Sequence, residues 1–217
     1  MHIPDGFLSP TVWGTLDVVS GSCVALGLRQ VAQELEEKSI PLMGVLAAFV
    51  FAAQMINLPI AGGTSAHFLG GSLVAILLGP WAGLTVMTVV LVVQCFLFQD
   101  GGVAALGANI FNMGFIGSLI SGTLYLLISN RLPVKRRIFW SGFIVGWSTI
   151  VLSAACCAAE LALSHVISWG LALSIIVGVH AVIGLLEGIV TGTILESVAA
   201  IRPDLFYHPS RKSGVSG

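Results

Sequence analysis

Seven stretches of this chain are apolar enough to form helices, and the breakers between them leave no room for a separate soluble domain. They run over about 11–35, 40–58, 68–78, 81–98, 105–129, 136–163 and 171–200. About 20 mainly apolar residues are needed to cross about 30 Å of hydrocarbon, so most of these segments are long enough to span a bilayer. Charged residues make up only 9% of the 217 positions and hydrophobic ones 56%, whereas a soluble domain carries roughly 25% charged residues. The expected fold is an all-α integral membrane protein, one domain over 1–217 built as a seven-helix bundle. The third segment, about 11 residues long, is too short to span alone. The stretch before it, Pro59–Ala66 (PIAGGTSA), has the composition of a re-entrant piece, whose irregular backbone must be enclosed by protein or line a cavity.

Several function classes are excluded at this level. A net charge of −1 with no basic run outside 131–137 gives no electrostatic footprint for nucleic acid. Cys23, Cys95, Cys156 and Cys157 lie in apolar segments without CxxC spacing, which reads as core packing rather than disulfides or zinc. The opening MHIPDGFLSP lacks the basic and apolar regions of a secretory signal, so the mature protein is expected to begin at Met1. No internal repeat suggests inverted transporter halves.

Orientation follows from the positive charges. Arg131, Lys135, Arg136 and Arg137 share one loop, which the positive-inside rule places in the cytoplasm. Counting crossings from there puts Arg202, Arg211 and Lys212 inside with a 201–217 tail, and Arg29 and Lys38 inside at the first helix connection. The N-terminus, the Pro59–Ala66 segment leading to His67, the Asp100–Gly102 loop and His165 fall outside. The count treats the short third segment as a full crossing.

The outer side carries the distinctive chemistry. The α-amine of Met1, the amide nitrogen joining Met1 to His2 and the His2 imidazole can close two fused chelate rings around one cation. Three nitrogens then lie in a plane, a field suited to Ni(II) or Cu(II). The fourth corner needs another neutral nitrogen, and His67 is the outer-side candidate. The bulky His2 favours retention of Met1, and Pro4 with Gly6 fits a turn that sends the terminus back into the bundle.

Other polar groups invite roles around such a site. Asn109 and Asn112 lie three apart in the fifth segment and on one helical face, placed to hydrogen-bond His67 or the N-terminal segment, or to join helices. Ser65 lies two residues before His67. Asp17, Glu160, His180 and Glu187 lie within helices, as proton carriers or structural partners. Gly184, Gly188 and Gly192 form a small-xxx-small stripe open to a helix of this chain or of another subunit.

Four motifs, MHIPDGFLS at 1–9, GGTSAHFLGG at 62–71, ALGANIFNMG at 105–114 and IRPDLFYHP at 201–209, resemble the NikM/CbiM family. These are the substrate-capture membrane subunits, or S-components, of nickel and cobalt energy-coupling-factor (ECF) transporters of the ABC class. The resemblance implies a seven-helix S-component in a prokaryotic plasma membrane, N-out and C-in, whose N-terminal strand enters the bundle from outside. Residues 1–10 are then the metal-binding segment. The implied ligands are the Met1 amine, the His2 amide nitrogen and ring, and the His67 ring; Asn109, Asn112 and Ser65 are the candidates, read from their positions, to surround them. The implied partners are a transmembrane coupling subunit, a pair of cytoplasmic ABC ATPases and a small accessory membrane subunit of the NikN/CbiN kind. Cobalt-branch members carry Met-Glu after the initial His-Ile, where this chain has Pro4-Asp5, so the resemblance is nearer the nickel branch.

The expected function is capture of Ni(II), as transported substrate and without an organic cofactor, for ATP-driven import. No GxxxxGK[ST] loop occurs, so ATP hydrolysis is expected in partner subunits and no enzymatic activity in this chain. The alternatives are a Co(II)-specific S-component, a proton-coupled antiporter using Asp17, Glu160 and Glu187, and an intramembrane hydrolase pairing Ser65 or Ser72 with His67.

Overall fold

The computed structural model describes residues 1–60, 64–129, 131–132 and 136–207. Lys135, Arg211, Lys212, the tip of the 59–66 segment and the tail beyond Tyr207 lie outside the described residues. Seven helices are present among them. Five are long and apolar enough to cross a membrane: α1 Pro10–Glu34, α4 Pro80–Phe98, α5 Leu106–Ser129, α6 Arg137–Leu163 and α7 Trp169–Ile201. Two are shorter, α2 Ile40–Gln54 and α3 Gly71–Leu78. At 1.5 Å per residue, α3 is only about 12 Å long, and all its residues are buried. Val18, Leu97 and Val182, by contrast, are at least two-thirds exposed, as side chains facing lipid would be.

Two features differ from the sequence reading. The second helix ends at Gln54 rather than 58, because Pro59 cannot donate an i→i−4 bond. The chain instead turns into a two-stranded antiparallel pair, β1 Leu58–Ile60 and β2 Thr64–Ala66, with Pro59 opposite Ser65. The ladder satisfies backbone groups that a loose re-entrant coil would leave open. The segment before α1, expected as a strand, has no regular structure at 1–4 and turns at 5–8, and joins no sheet among the described residues. Its backbone partners are a side chain and a loop amide, described below.

Helices α6 and α7 form the closest pair. A methyl at Gly188 would lie 2.8 Å from the Phe143 carbonyl oxygen, and one at Gly192 2.8 Å from the Phe139 carbonyl oxygen. The glycine stripe is therefore occupied by a helix of this chain, and small residues allow the backbones to touch. Two stretches, Phe111–Ile120 in α5 and Leu173–Val177 in α7, adopt π-helical geometry. Met1, Ile3, Leu69, Leu84 and Met87 belong to one buried core, so the N-terminus is packed inside the bundle.

Candidate metal-binding site

The N-terminal segment is pinned from both sides. Asn109 acts as a one-residue strand: its Oδ1 accepts from the Ile3 N–H at 2.8 Å and its Nδ2 donates to the Ile3 carbonyl at 3.1 Å. The Gly102 N–H donates to the same carbonyl at 2.9 Å. The Asp5 carboxylate accepts from the N–H groups of Val103 and Ala104 at 3.0 and 2.8 Å, tying the segment to the loop that leads into α5. Gly6, at φ +85°, then makes the turn toward Pro10, a backbone shape that glycine adopts without cost.

This anchoring brings the Met1 amine 2.7 Å from Nε2 of His67. The amine also donates to the Ser65 carbonyl and lies 3.5 Å from Ser65 Oγ. The His2 and His67 rings have centroids 4.8 Å apart and planes inclined by 33°. Nδ1 of His67 lies 2.7 Å from the Phe68 carbonyl oxygen. A carbonyl only accepts, so Nδ1 carries the proton and the Nε2 lone pair faces the amine. On His2, Nδ1 and Nε2 are both buried without a hydrogen-bond partner among the described residues, and the Asp100 carboxylate stands 3.7 Å from Nε2.

Burial sets the protonation states. It pushes the Met1 amine down from 8.0 to about 5, against a weaker upward pull from Cys157 and Asp100. Burial and the neighbouring amine hold both His2 and His67 well below the usual histidine range. Near pH 7 the site thus presents an amine and two imidazoles in their neutral, lone-pair forms. Among the described residues no group of three or more His, Cys, Asp and Glu side chains is placed to hold a metal ion. The nitrogens gathered here are the Met1 amine and the rings of His2 and His67.

The structure thus brings together Met1, His2, Ser65, His67 and Asn109, but not Asn112. The i→i+5 winding that begins at Phe111 breaks the shared face expected of a regular helix. Asn112 donates instead to Glu160 Oε2 at 2.7 Å. The other helix-borne acids also have backbone donors: Asp17 accepts from the Gly107 N–H at 2.9 Å, and Glu187 from the Leu69 and Gly70 N–H groups at 2.6 and 2.9 Å. Ser72 bonds to Thr149 at 2.8 Å, and Ser65 meets the amine. Neither serine pairs with His67 as a hydrolase would need. Asp100, Asp5 and Glu187 were not among the site residues read from sequence. The Asp-Gly signature at Asp5 and Asp100 was the available signal.

The model of the family described as "Cobalt uptake substrate-specific transmembrane region", CbiM, matches residues 2–205. The chain belongs to the CbiM family. A putative metal transport protein of Haloquadratum walsbyi is 42% identical over 220 residues, covering 100% of this chain and 98% of that protein. A putative fused nickel transport protein NikMN of Archaeoglobus fulgidus is 40% identical over 209 residues, covering 94% of this chain and 68% of that protein. A crystal structure of a truncated transition metal transporter superposes with a TM-score of 0.85 at 32% identity, over 92% of this chain and 99% of that one. As a CbiM-family member with five apolar spans, this is a multi-pass prokaryotic membrane protein. The family is one of membrane transport components rather than enzymes.

Proposed function

We propose that the chain captures Ni(II) at its outer face as a planar four-nitrogen complex and delivers it for ATP-driven import as the S-component of an ECF transporter. The four donors are the Met1 amine, the deprotonated His2 amide, His2 Nδ1 and His67 Nε2. One observation carries this reading, the 2.7 Å separation of the Met1 amine from His67 Nε2. For a metal–nitrogen bond of about 2.0 Å, adjacent corners of a square lie about 2.8 Å apart. The two nitrogens already stand at the spacing of neighbouring corners, both with lone pairs free near pH 7.

Charge supports it as well. Ni(II) with one deprotonated amide leaves a net charge of +1, and the buried side of the site needs an anion. Asp100, 3.7 Å from His2 Nε2, supplies it on the Nε2 side of the ring, leaving Nδ1 for the metal.

Nickel is preferred over Co(II) because a nitrogen plane favours a low-spin d8 ion. Three relatives named for nickel transport are 38–41% identical over the parts they match, and three named for cobalt transport 26–35%. The fused NikMN and LarMN names support a small accessory subunit as a partner. The coupling subunit and ATPase pair follow from the need for an external energy source. Placing the Arg131–Arg137 loop in the cytoplasm makes the chain N-out and C-in, with the site on the outer side.

The test is Ni(II) retention and the absorption spectrum of the purified protein, with intact mass establishing a free Met1 amine. Wild type should hold one Ni(II) with a square-planar band, whereas His2→Ala and His67→Ala should lose that band while remaining folded. Undiminished retention by either variant, or an octahedral spectrum with tighter Co(II) binding, would overturn the assignment.

A further inference from the structure

Glu187 is fully buried on α7, and each of its carboxylate oxygens accepts from a main-chain N–H of the segment after His67. Oε2 takes the Leu69 N–H at 2.6 Å and Oε1 the Gly70 N–H at 2.9 Å. A lone buried carboxylate in a membrane bundle is costly, and two charge-assisted bonds from adjacent peptides offset that cost. Only a carboxylate supplies two acceptors at this spacing. The partner segment has little freedom to replace it, since Gly70 sits at φ +78° and a methyl there would lie 2.7 Å from Val50.

The Leu69 N–H belongs to the same planar peptide unit as the Phe68 carbonyl. That carbonyl takes the Nδ1 proton of His67 at 2.7 Å, and the freed Nε2 faces the Met1 amine at 2.7 Å. A continuous line therefore runs from carboxylate to peptide to imidazole. Hydrogen bonds in such chains polarise one another. Gln54 holds the far side of the segment by donating to the Leu69 carbonyl at 2.7 Å.

We propose that Glu187 is a positioning residue for His67, acting through the Phe68–Leu69 peptide to fix the ring's orientation and its Nδ1–H tautomer. The role rests on His67 being the fourth ligand. A ligand's outer hydrogen-bond partner is typically worth about 10–100-fold in metal affinity. Glu187→Ala frees the peptide to rotate. Glu187→Gln keeps one acceptor but turns an NH2 group against the second N–H.

Two readouts on the detergent-purified full chain decide it. In the metal-free protein, nitrogen NMR of ring-labelled histidine should show His67 as a single Nδ1–H tautomer in wild type and as a mixture in Glu187→Ala. In the Ni(II)-loaded protein, release to a chelator should accelerate about 10–100-fold in Glu187→Ala and less in Glu187→Gln, the square-planar band weakening toward its loss in His67→Ala. Glu160→Gln removes a different buried acid and should leave release within about twofold of wild type. Should Glu187→Ala fail to fold, Glu187→Gln carries both measurements alone. A wild-type tautomer and release rate in the folded variants would overturn the role, whatever their thermal stability. Absence of Ni(II) binding by wild type would instead overturn the proposed function, and the tautomer measurement would still report on Glu187.

Discussion

The α-amine of Met1 and Nε2 of His67 lie 2.7 Å apart across 66 residues of sequence, both inside the bundle. Burial strips the hydration that their charged forms would need, so both nitrogens are neutral near pH 7 before an ion arrives. The site's metal chemistry then starts from lone pairs and one amide N–H.

That starting state predicts the proton count. The Met1 amine, lowered to about 5, and both lowered imidazoles bind essentially no protons at pH 7, whereas an exposed amine with its ordinary value of 8.0 would be mostly protonated. Ni(II) binding at pH 7 should thus release about one proton, the amide's, rather than about two. Protons compete with the metal, so affinity should fall about tenfold per pH unit from 7 toward 5 and more steeply below about 5, where the amine also protonates. Calorimetry in buffers of different ionisation enthalpy counts the released protons. A count near two at pH 7 would mean the amine is solvated in the metal-free protein.

Asn109→Ala should loosen the site without touching a ligand. It leaves the Ile3 N–H buried and unpaired, worth about 1–3 kcal/mol, while the Ile3 carbonyl keeps the Gly102 N–H at 2.9 Å. Expected are faster Ni(II) release and faster hydrogen exchange at Ile3. Asn112→Ala should leave Ni(II) release unchanged, because Asn112 bonds to Glu160. Equal effects of the two substitutions would contradict this division of roles.

Much of this arrangement was legible in the sequence. The helices begin at Pro10, Ile40, Gly71, Pro80, Leu106, Arg137 and Trp169, close to where apolar runs met Pro, Gly or charge. Hydropathy alone cannot report how a buried backbone is satisfied, which is why the β1–β2 pair and the shorter α2 escaped it. The divergence of Asn109 from Asn112 depends on a π-helical winding that no local pattern announces. Glu187 is bonded to the segment after His67 across 118 residues, a pairing between distant positions that a single sequence does not encode locally.

Asp100→Asn tests the charge argument separately from the geometry. The amide is nearly isosteric but removes the negative charge 3.7 Å from His2 Nε2, so Ni(II) affinity should fall about 10–100-fold. The absorption band should stay in place, because the four nitrogens are the same. A shifted band would mean that Asp100 itself enters the coordination sphere.

Gly101→Ala should damage the site directly. Gly101 sits at φ +95°, and a methyl there would lie 2.9 Å from Asn109 Nδ2 and 3.3 Å from His2 Nδ1. An L-residue in that conformation costs on the order of 1–3 kcal/mol, and the methyl crowds both the His2 nitrogen assigned to the metal and the side chain that holds Ile3. Loss of the planar Ni(II) band is expected, with a lowered thermal midpoint. Gly14→Ala is the matched control: its methyl meets nothing within 4 Å and lies in α1, where alanine is the better helix former. It should bind Ni(II) as wild type does and unfold at an equal or higher temperature. Wild-type Ni(II) release from Gly101→Ala would show that the His2 ring does not occupy the position assigned to it.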